Sequence, residues 1–232
     1  MTIPVIIFDL DETLTDRSSF TGFLLFGAWR THWMRPILLP LWVFAMLGYK
    51  AGLYDRGQLK QFGLRLMLGR AGLARLDILG PQFANRLIRH VQPGARALWD
   101  AAGAAGYRRV IATAAIASYA GPLGAALGAD AVVATSVASD GTLVGGNCYA
   151  QRKLERVQQW LSAEGLGRSD IHVIAASDSF TDAPLLNWAD QALFVTRRAA
   201  TAKRAKGCGW LPADFGQANP DLARIIRGSP PQ

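Results

Sequence analysis

The sequence predicts an α/β protein whose parallel sheet is covered by helices on both faces. Short runs of β-branched and aromatic residues alternate with longer stretches that have a helical pattern. Such alternation is typical of a doubly wound sheet, in which a crossover helix follows each strand. At 232 residues and 50% apolar content, the chain is long enough for one sizeable core and a second, smaller lobe.

Five strands and four helices are predicted in the alternating region. The strands cover residues 3–8, 109–113, 131–135, 171–176 and 192–195. The helices lie around residues 94–105, 118–127, 152–164 and 182–189. The tail after Gly216 is rich in Pro and Gly near its end, so we expect a short helix there, followed by a frayed terminus.

The first strand ends in two acidic residues. In VIIFDLDETLT, a run of apolar residues delivers Asp9, Asp11 and Thr13 to the carboxyl end of a buried strand. An acidic pair in this place is also typical of a solvated turn that starts a helix. Ligands of parallel sheets bind at this edge, however, so two carboxylates here favour a chemical role.

More polar residues follow the later strands. The run RRVIAT ends at Thr113, and Lys153 follows two glycines in GGNCYAQRK. The run DIHVIAA leads into SDSFTD, which carries Asp178 and Asp182. In order and spacing, these motifs and DLDET resemble the haloacid dehalogenase (HAD) superfamily over nearly the whole chain. The resemblance is to subfamily IB, and it implies a Rossmann-like core with an inserted, all-helical type I cap.

The resemblance implies a phosphatase, and the residue types suit that chemistry. Asp9 is expected to attack phosphorus and to form an aspartyl-phosphate. Asp11 is expected to protonate the leaving alkoxide and then to deprotonate the attacking water. Thr113 is expected to donate its hydroxyl to a phosphoryl oxygen, and Lys153 to place its ammonium against Asp9 and the phosphate.

A hard cation is also expected, because a carboxylate that attacks a phosphate dianion meets a like charge. Mg²⁺ suits a site of carboxylate oxygens, one carbonyl and waters. The resemblance implies that its ligands are Asp9, the main-chain carbonyl of Asp11, and Asp178. Asp182 is expected to orient Lys153 or a metal-bound water, and it also stands where it would cap the next helix.

The chain departs from the family pattern in three places. Glu12 stands where the family usually has glycine or serine, and Ala114 and Ala115 stand where it usually has a serine. Ala150 stands where related sequences often have the glycine of NCYG before the lysine. None of these departures removes a reacting group.

The segment between the first two motifs breaks the alternating rhythm. Residues 15–92 contain no convincing strand and have the pattern of a helical cap, which leaves residues 1–14 and 93–232 as the catalytic core. The formal net charge of +8 lies wholly in this cap, which has eleven Lys and Arg against three acids. No nucleic-acid-binding motif accompanies the charge, so no nucleic-acid partner is expected.

The cysteines and the amino terminus favour a cytoplasmic enzyme without structural metal. Cys148 and Cys208 lie far apart and lack metal-ligand spacing, so we expect two reduced thiols. The first residues enter directly a strand that carries catalytic residues, so we expect no cleavable signal.

One part of the cap is unusually apolar. The run between Arg35 and Lys50 has fourteen uncharged residues with two prolines, which is short of the roughly twenty needed to span a bilayer. Tryptophans and flanking cations are typical of a helix that lies in an anionic membrane surface. A helix packed into the cap or into a dimer interface would show the same pattern, and periodicity does not decide between them.

In composition, the cap resembles that of phosphatidylglycerophosphatase C, a bacterial lipid-phosphate phosphatase. This resemblance implies a lipid phosphate such as phosphatidylglycerophosphate as substrate, and peripheral association with the inner membrane. Arg56 and Lys60 lie four residues apart in a helical pattern, so they share one face. They are candidates to bind a second anionic group of the substrate, although an ordinary solvated cationic face has the same pattern.

Two other functions stay open. A soluble phosphatase for a small metabolite such as phosphoserine would share the core motifs. Phosphoserine phosphatase carries a Glu in its cap for the amino group, however, and residues 15–92 contain none. A catalytically silent relative that binds a membrane or a partner would usually have lost a core carboxylate or the lysine. Asp9, Asp11, Lys153 and Asp178 are all present, which favours an active enzyme.

Overall fold

A computed structural model describes residues 2–218 and residue 226 of the chain. Within that part, one sheet contains β1 (Ile3–Phe8), β2 (Arg108–Ile116), β3 (Ala131–Val137), β4 (Leu143–Val144), β5 (Ile171–Ser177), β6 (Gln191–Val195) and β7 (Leu211–Ala213). Their order across the sheet is β4-β3-β2-β1-β5-β6-β7. β4 runs antiparallel to β3, and all other neighbouring pairs are parallel.

The helices fall into two groups. Four lie within residues 15–92, the inserted segment: α1 (Phe20–Thr31), α2 (Leu39–Lys50), α3 (Arg56–Leu73) and α4 (Leu76–Leu87). The others are α5 (Pro93–Ala104), α6 (Ala117–Ala126), α7 (Gln151–Ala163), α8 (Ala183–Trp188) and α9 (Ala199–Gly207). From α5 onward, helices and strands alternate, as in other doubly wound sheets.

Helices cover both faces of the sheet. Successive side chains of a strand point to opposite faces, and β1 divides its apolar residues accordingly. Ile6 and Phe8 belong to a buried cluster that contains residues of α5 and α6. Val5 and Ile7 belong to a second cluster that contains residues of α7 and α8. The predicted α/β fold class, with helices on both faces of a mostly parallel sheet, is confirmed.

The predicted elements of the core are present. β1, β2, β3, β5 and β6 match the five predicted strands, and α5 to α8 match the four predicted helices. The sequence pattern does not predict β4, β7 or α9. Strands of two and three residues at the sheet edges are too short to show a period. The helix and frayed end predicted for the tail fall on residues 219–225 and 227–232, outside the described residues.

The inserted segment leaves and rejoins the sheet domain at one place. Thr15 and Val91 form an antiparallel bridge. The backbone N–H of Gln92 donates to the carbonyl of Leu14 at 2.9 Å. These contacts hold the two segments that connect the insertion to the sheet domain side by side, next to the acidic turn that follows β1. The limits predicted for the cap, residues 15–92, stay a prediction.

An aromatic cluster fixes the inserted helices on α6. The ring of Tyr119 lies 4.8 Å from that of Phe23 and 5.2 Å from that of Phe83, measured between centroids. A Cβ at Gly80 would lie 1.9 Å from the carbonyl oxygen of Ser118, so only glycine allows α4 to approach α6 so closely. The inserted helices are therefore packed firmly against the core.

The segment around α2 packs much less completely. Trp42 is the buried residue of α2. Several large apolar side chains from residue 33 to the end of this helix are exposed, and we call the five most exposed of them the exposed apolar face: Trp33, Ile37, Leu41, Phe44 and Leu47. Across the described residues, no helix has both the length and the apolar character needed to cross a bilayer.

Candidate active site

A cavity of about 100 Å³ lies at the carboxyl ends of β1, β2 and β5. Because β1 lies between β2 and β5, the polar residues after these strands converge there. The structure brings together all six core residues that the sequence motifs single out: Asp9, Asp11, Thr113, Lys153, Asp178 and Asp182.

Lys153 forms the centre of this cavity. Its side chain is 2% exposed, and its Nζ lies 2.7 Å from Oδ1 of Asp9 and 2.6 Å from Oδ2 of Asp182. Burial lowers the pKa of Lys153, but the two carboxylates outweigh burial and raise that pKa above its usual value. The ammonium is therefore held charged between the two acids, as a fixed positive point beside Asp9.

Asp9 directly follows β1, and its backbone N–H donates to the carbonyl of Ala176 on β5 at 2.9 Å. Burial raises the pKa of the Asp9 carboxyl to about 7, against the opposing effect of Lys153. Oδ1 accepts the hydrogen bond from Lys153. Oδ2 makes no hydrogen bond to any described residue. One oxygen is thus fixed, and the other is available for chemistry.

The chain leaves β1 in a way that separates the two acids. Asp11 is still extended, with φ −70° and ψ 129°, whereas Glu12 has φ 59° and turns the chain. Oδ1 of Asp11 accepts a hydrogen bond from the backbone N–H of Ser19 at 2.9 Å. Burial raises the pKa of Asp11. Its carboxyl therefore points toward the start of the inserted helices.

Thr113 lies in β2, and its side chain is buried. Its Oγ1 accepts a hydrogen bond from the backbone N–H of Ala115 at 3.0 Å. That bond uses an acceptor position and leaves the hydroxyl proton free to donate into the cavity.

Asp178 is fixed by a residue from the first motif. Its backbone N–H donates to Oγ1 of Thr13 at 2.9 Å, and this hydroxyl donates to Oδ1 of Asp178 at 3.2 Å. Burial, together with repulsion from Glu12, raises the pKa of Asp178 to about 6. Thr13 thereby connects the turn after β1 with the turn after β5.

Asp182 stands at the N-cap position of α8, but its side chain makes no capping bond. Its Oδ2 accepts hydrogen bonds from Lys153 and from Oγ of Ser177, the latter at 2.7 Å. Its Oδ1 is buried and has no partner among the described residues. The sequence allows Asp182 either to orient Lys153 or to cap α8. In the structure its carboxylate contacts Lys153 and does not cap the helix.

The donor chemistry of the cavity fits a divalent cation such as Mg²⁺. No group of three or more His, Cys, Asp or Glu side chains in the described residues forms a ready metal cluster. The expected ligands are two carboxylates, Asp9 and Asp178, with the carbonyl of Asp11, and Mg²⁺ usually keeps several waters besides. Both carboxyls have raised pKa values, which a cation would lower. The unpaired Oδ1 of Asp182 offers an acceptor for a water in the same cavity.

Arg56 and the active-site cavity adjoin a larger cavity under the inserted helices. This second cavity has a volume of about 330 Å³ and shares Asp11 and Arg56 with the first. Its walls include the apolar side chains of Phe20, Trp42, Met46 and Leu59. The exposed guanidinium of Arg56 lies over the ring of Tyr149, 4.5 Å from its centroid.

Lys60 lines the same second cavity, but its ammonium has partners in the core. Its Nζ donates to the carbonyl of Ala114 and, at 2.9 Å, to Oδ1 of Asn147. Burial, together with the positive charge of Arg56, lowers the pKa of Lys60 to about 7. Of the two predicted anion-binding cations, Arg56 has the freer charged group in this conformation.

Four supporting residues are not singled out by the sequence reasoning: Ser177, Ser19, Tyr119 and Asn147. Ser177 stands directly before Asp178 in SDSFTD, so its position beside the acids is a signal that the sequence does contain. Ser19 and Tyr119, whose hydroxyls lie 2.9 Å apart, are a hundred residues apart in the chain and share no motif. Only the docking of the inserted helices on α6 brings them together.

The chain was compared with protein families, with known proteins and with solved structures. The model of the haloacid dehalogenase-like hydrolases matches residues 6–187. Protein CicA of Caulobacter vibrioides is 30% identical over 204 residues, which cover 81% of this chain and 83% of that protein.

Solved structures are similar over nearly the whole chain. A protein with unknown function from Bordetella pertussis Tohama I has a TM-score of 0.82 and 25% identity, over 93% of this chain and 100% of that chain. A phospho-aspartyl intermediate analogue of phosphoserine phosphatase has a TM-score of 0.61 and 16% identity, over 98% of this chain and 99% of that chain. At that identity, the second likeness concerns the fold alone.

Proposed function

This chain belongs to the haloacid dehalogenase-like hydrolase family, and we propose that it is a Mg²⁺-dependent phosphomonoesterase that works through an aspartyl-phosphate on Asp9. The observation that carries the proposal is the buried pairing of Lys153 with Asp9 and Asp182 in a cavity that also holds Asp11, Thr113 and Asp178. We further propose a lipid phosphate, such as phosphatidylglycerophosphate, as the substrate. The position of the inserted helices between β1 and β2 supports assignment to subfamily IB.

In the first step, a carboxylate oxygen of Asp9 attacks phosphorus. A bond forms between that oxygen and phosphorus, and the bond from phosphorus to the ester oxygen breaks. The leaving oxygen takes a proton from the carboxyl of Asp11. Lys153 keeps Oδ1 of Asp9 in place at 2.7 Å, which leaves Oδ2 to react.

In the second step, water hydrolyses the aspartyl-phosphate. Asp11 takes a proton from the water as the oxygen attacks phosphorus. The bond from phosphorus to the Asp9 oxygen breaks, inorganic phosphate leaves, and both carboxyl groups return to their starting states. Ser19 holds Asp11 by a backbone hydrogen bond at 2.9 Å, on the leaving-group side of the cavity.

The phosphoryl oxygens need fixed donors and positive charge in both steps. Thr113 has a free hydroxyl proton, and Lys153 has a fixed ammonium. Asp9, the carbonyl of Asp11, and Asp178 would hold Mg²⁺, which offsets the repulsion between the carboxylates and the phosphate. Asp182 keeps Lys153 in position through its bond at 2.6 Å.

The mechanism is tested by replacing Asp9 with asparagine. With p-nitrophenyl phosphate and Mg²⁺, Asp9→Asn should lower kcat by at least about a thousandfold, because the nucleophile is lost. Asp16→Asn is the matched control, since Asp16 is exposed on the same segment and pairs with Arg17. A chelator should stop the parent enzyme, and added Mg²⁺ should restore it. An Asp9→Asn variant with the parental rate would overturn the assignment.

Two features of the inserted helices support a lipid leaving group. The second cavity leads from Asp11 between apolar side chains, which suits an apolar part of a substrate. The exposed apolar face includes Ile37 and Phe44, which are 73% and 68% exposed. Exposed apolar surface of this kind marks interaction sites. The face would rest on a membrane while the phosphate reaches Asp9.

Charge supports a membrane as the partner of the exposed apolar face. The sequence carries no acid from Arg17 through Tyr54, while Arg30, Arg35 and Lys50 flank the face. A tryptophan-containing apolar surface with flanking cations is typical of a peripheral contact with anionic lipid. Arg56, at the border of both cavities, would bind a second anionic group of the substrate.

The substrate class is tested by comparing esters under one set of conditions. Phosphate release from phosphatidylglycerophosphate in mixed micelles should exceed release from phosphoserine and from p-nitrophenyl phosphate in kcat/KM. Preference for phosphoserine or another soluble ester would contradict the lipid proposal and leave the phosphatase chemistry intact. Chelator controls for each ester separate enzymatic from background release.

A further inference from the structure

We propose that a groove between α1 and α4, separate from the active site, binds an anionic phospholipid of the membrane that is not the substrate. The groove has a volume of about 380 Å³. None of its lining residues lines either of the two cavities at Asp9 and Asp11. The proposal rests on the membrane-facing part of the proposed function and on neither the catalytic steps nor the substrate.

The walls of the groove are apolar, with two arginines. Leu25, Phe26, Trp29, Pro36 and Phe83 supply the apolar surface, and Arg30 and Arg86 supply the charge. An apolar trough with a few fixed polar groups is what an amphiphilic ligand needs, because its tail and its head are bound by different chemistry.

The two arginines converge on one ring. The Cζ atoms of Arg30 and Arg86 lie 5.5 Å and 4.7 Å from the ring centroid of Phe26. Neither arginine has a hydrogen bond or a carboxylate partner among the described residues. Both guanidinium groups line the groove, so an anion in it would be attracted by two positive charges that have no carboxylate partner. Guanidinium groups match the oxygens of a phosphate diester particularly well.

The position of the groove favours a lipid over a peptide. Trp29 is 64% exposed, and Pro36 lies directly before Ile37 of the exposed apolar face. A tail that leaves the groove would therefore enter the same apolar phase as that face. No acid lies from Arg17 through Tyr54, so the α1 wall of the groove carries no negative charge that would repel an anionic headgroup.

Vesicle flotation tests the arginines. The probes are phosphatidylcholine vesicles with and without one-fifth phosphatidylserine, a lipid that has no phosphomonoester. Arg30→Gln with Arg86→Gln should lower partition onto the phosphatidylserine vesicles by about tenfold and onto pure phosphatidylcholine by less than about twofold. Hydrolysis of p-nitrophenyl phosphate should not change.

The control is Arg75→Gln with Arg89→Gln, which removes the same charge from exposed cap positions outside the groove. Equal losses for the two pairs would mean that the arginines act as diffuse charge, and the specific site would be wrong. If the parent protein binds neither kind of vesicle, both this inference and the proposed membrane contact fail. Loss of lipid-phosphate hydrolysis alone would affect only the proposed function.

Gly22 allows a second test that leaves the charge unchanged. A Cβ at this position would meet the ring of Phe83 at 3.6 Å, an ordinary contact, so Gly22→Ala is accommodated. Gly22→Met should fill the groove and lower partition onto phosphatidylserine vesicles several-fold, whereas Gly22→Ala should not. Unchanged partition of a folded Gly22→Met protein would show that the groove is not occupied.

Discussion

In the sheet domain, charged side chains are buried together, whereas in the inserted helices large apolar side chains face solvent. Lys153 is 2% exposed between two carboxylates, while Trp33 and Ile37 are 70% and 73% exposed. Both arrangements are costly for an isolated folded chain. Under the proposed function, a second molecule would complete each arrangement: a phosphate with its cation for the buried charges, and a lipid phase for the exposed apolar groups.

The difference also separates chemistry from recognition. The polar residues of the core are fixed to each other by short bonds across β1, α7 and the turn after β5. The inserted helices contribute no reacting group to the proposed mechanism. We propose instead that the second cavity and Arg56 select the molecule that reaches Asp9, and that the exposed apolar face and the groove arginines contact the membrane. Substitutions in the two regions should therefore have different consequences.

The largest effect is expected for Lys153→Met. Removal of the ammonium leaves Asp9 and Asp182 buried without a positive partner, which should lower the free energy of unfolding by about 3–5 kcal/mol and abolish turnover. Urea denaturation measures the first effect and phosphate release the second. In a double variant with Asp182→Asn, part of the stability should return because one uncompensated carboxylate is gone. No recovery in the double variant would contradict the buried pairing.

A smaller effect, confined to recognition, is expected for Arg56→Met. For a substrate with a second anionic group, kcat/KM should fall by about tenfold to a hundredfold, as for loss of a charge-assisted hydrogen bond. For p-nitrophenyl phosphate it should change little, and stability should not change because Arg56 is exposed.

Lys60→Met is the comparison for Arg56, because the two residues lie on one face of α3. Lys60 holds the carbonyl of Ala114, next to Thr113, so its loss should lower kcat for both kinds of ester. An effect of Lys60→Met limited to the doubly anionic substrate would instead show that its ammonium binds that substrate directly.

The sequence predicts the sheet domain much better than it predicts the inserted helices. The five strands of the core have clear apolar runs, and the motifs at their ends converge because parallel strands share one carboxyl edge. Periodicity leaves three environments open for the run between Arg35 and Lys50. The structure resolves part of that question, since Trp42 packs inward while Leu41, Phe44 and Leu47 face out.

Lys60 and Tyr119 illustrate why the rest is not predictable from the sequence. The pattern around Lys60 predicts a cationic face, yet its ammonium is buried against a core loop. Tyr119 contacts Ser19 only because α6 packs against the inserted helices. Such contacts depend on how two distant segments dock, and no local period records that docking.

A moderate effect is expected for the exposed apolar face. Ile37→Ser with Phe44→Ser should reduce partition onto vesicles by about tenfold or more, because apolar area that would enter the lipid is removed. The free energy of unfolding should change by less than about 0.5 kcal/mol, since both side chains are exposed. Trp42→Ala is the control: it should destabilise the protein by about 3–5 kcal/mol, since Trp42 is buried. Vesicle binding unchanged by the double substitution would contradict the membrane contact.

The smallest effect concerns backbone strain beside the active site. Ala150 has φ 51° and ψ −127°, a conformation that glycine adopts readily and alanine does not. The carbonyl of Ala150 accepts a hydrogen bond from the backbone N–H of Lys153 at 3.0 Å, so the strained turn fixes the start of α7. Ala150→Gly should raise the free energy of unfolding by about 1 kcal/mol, as measured by urea denaturation.

Two comparisons sharpen this last prediction. Glu12 has φ 59° and ψ 1°, the ordinary left-handed region, where relief of strain by Glu12→Gly is about equal to the extra chain entropy of glycine. Glu12→Gly should therefore change the free energy of unfolding by less than about 0.5 kcal/mol. Ala101→Gly, inside α5, should lower stability by about 1 kcal/mol. Similar losses for Ala150→Gly and Ala101→Gly would show that Ala150 is not strained. A gain for Ala150→Gly beside no change for Glu12→Gly would show that the backbone strain lies directly before Lys153, in the sheet domain.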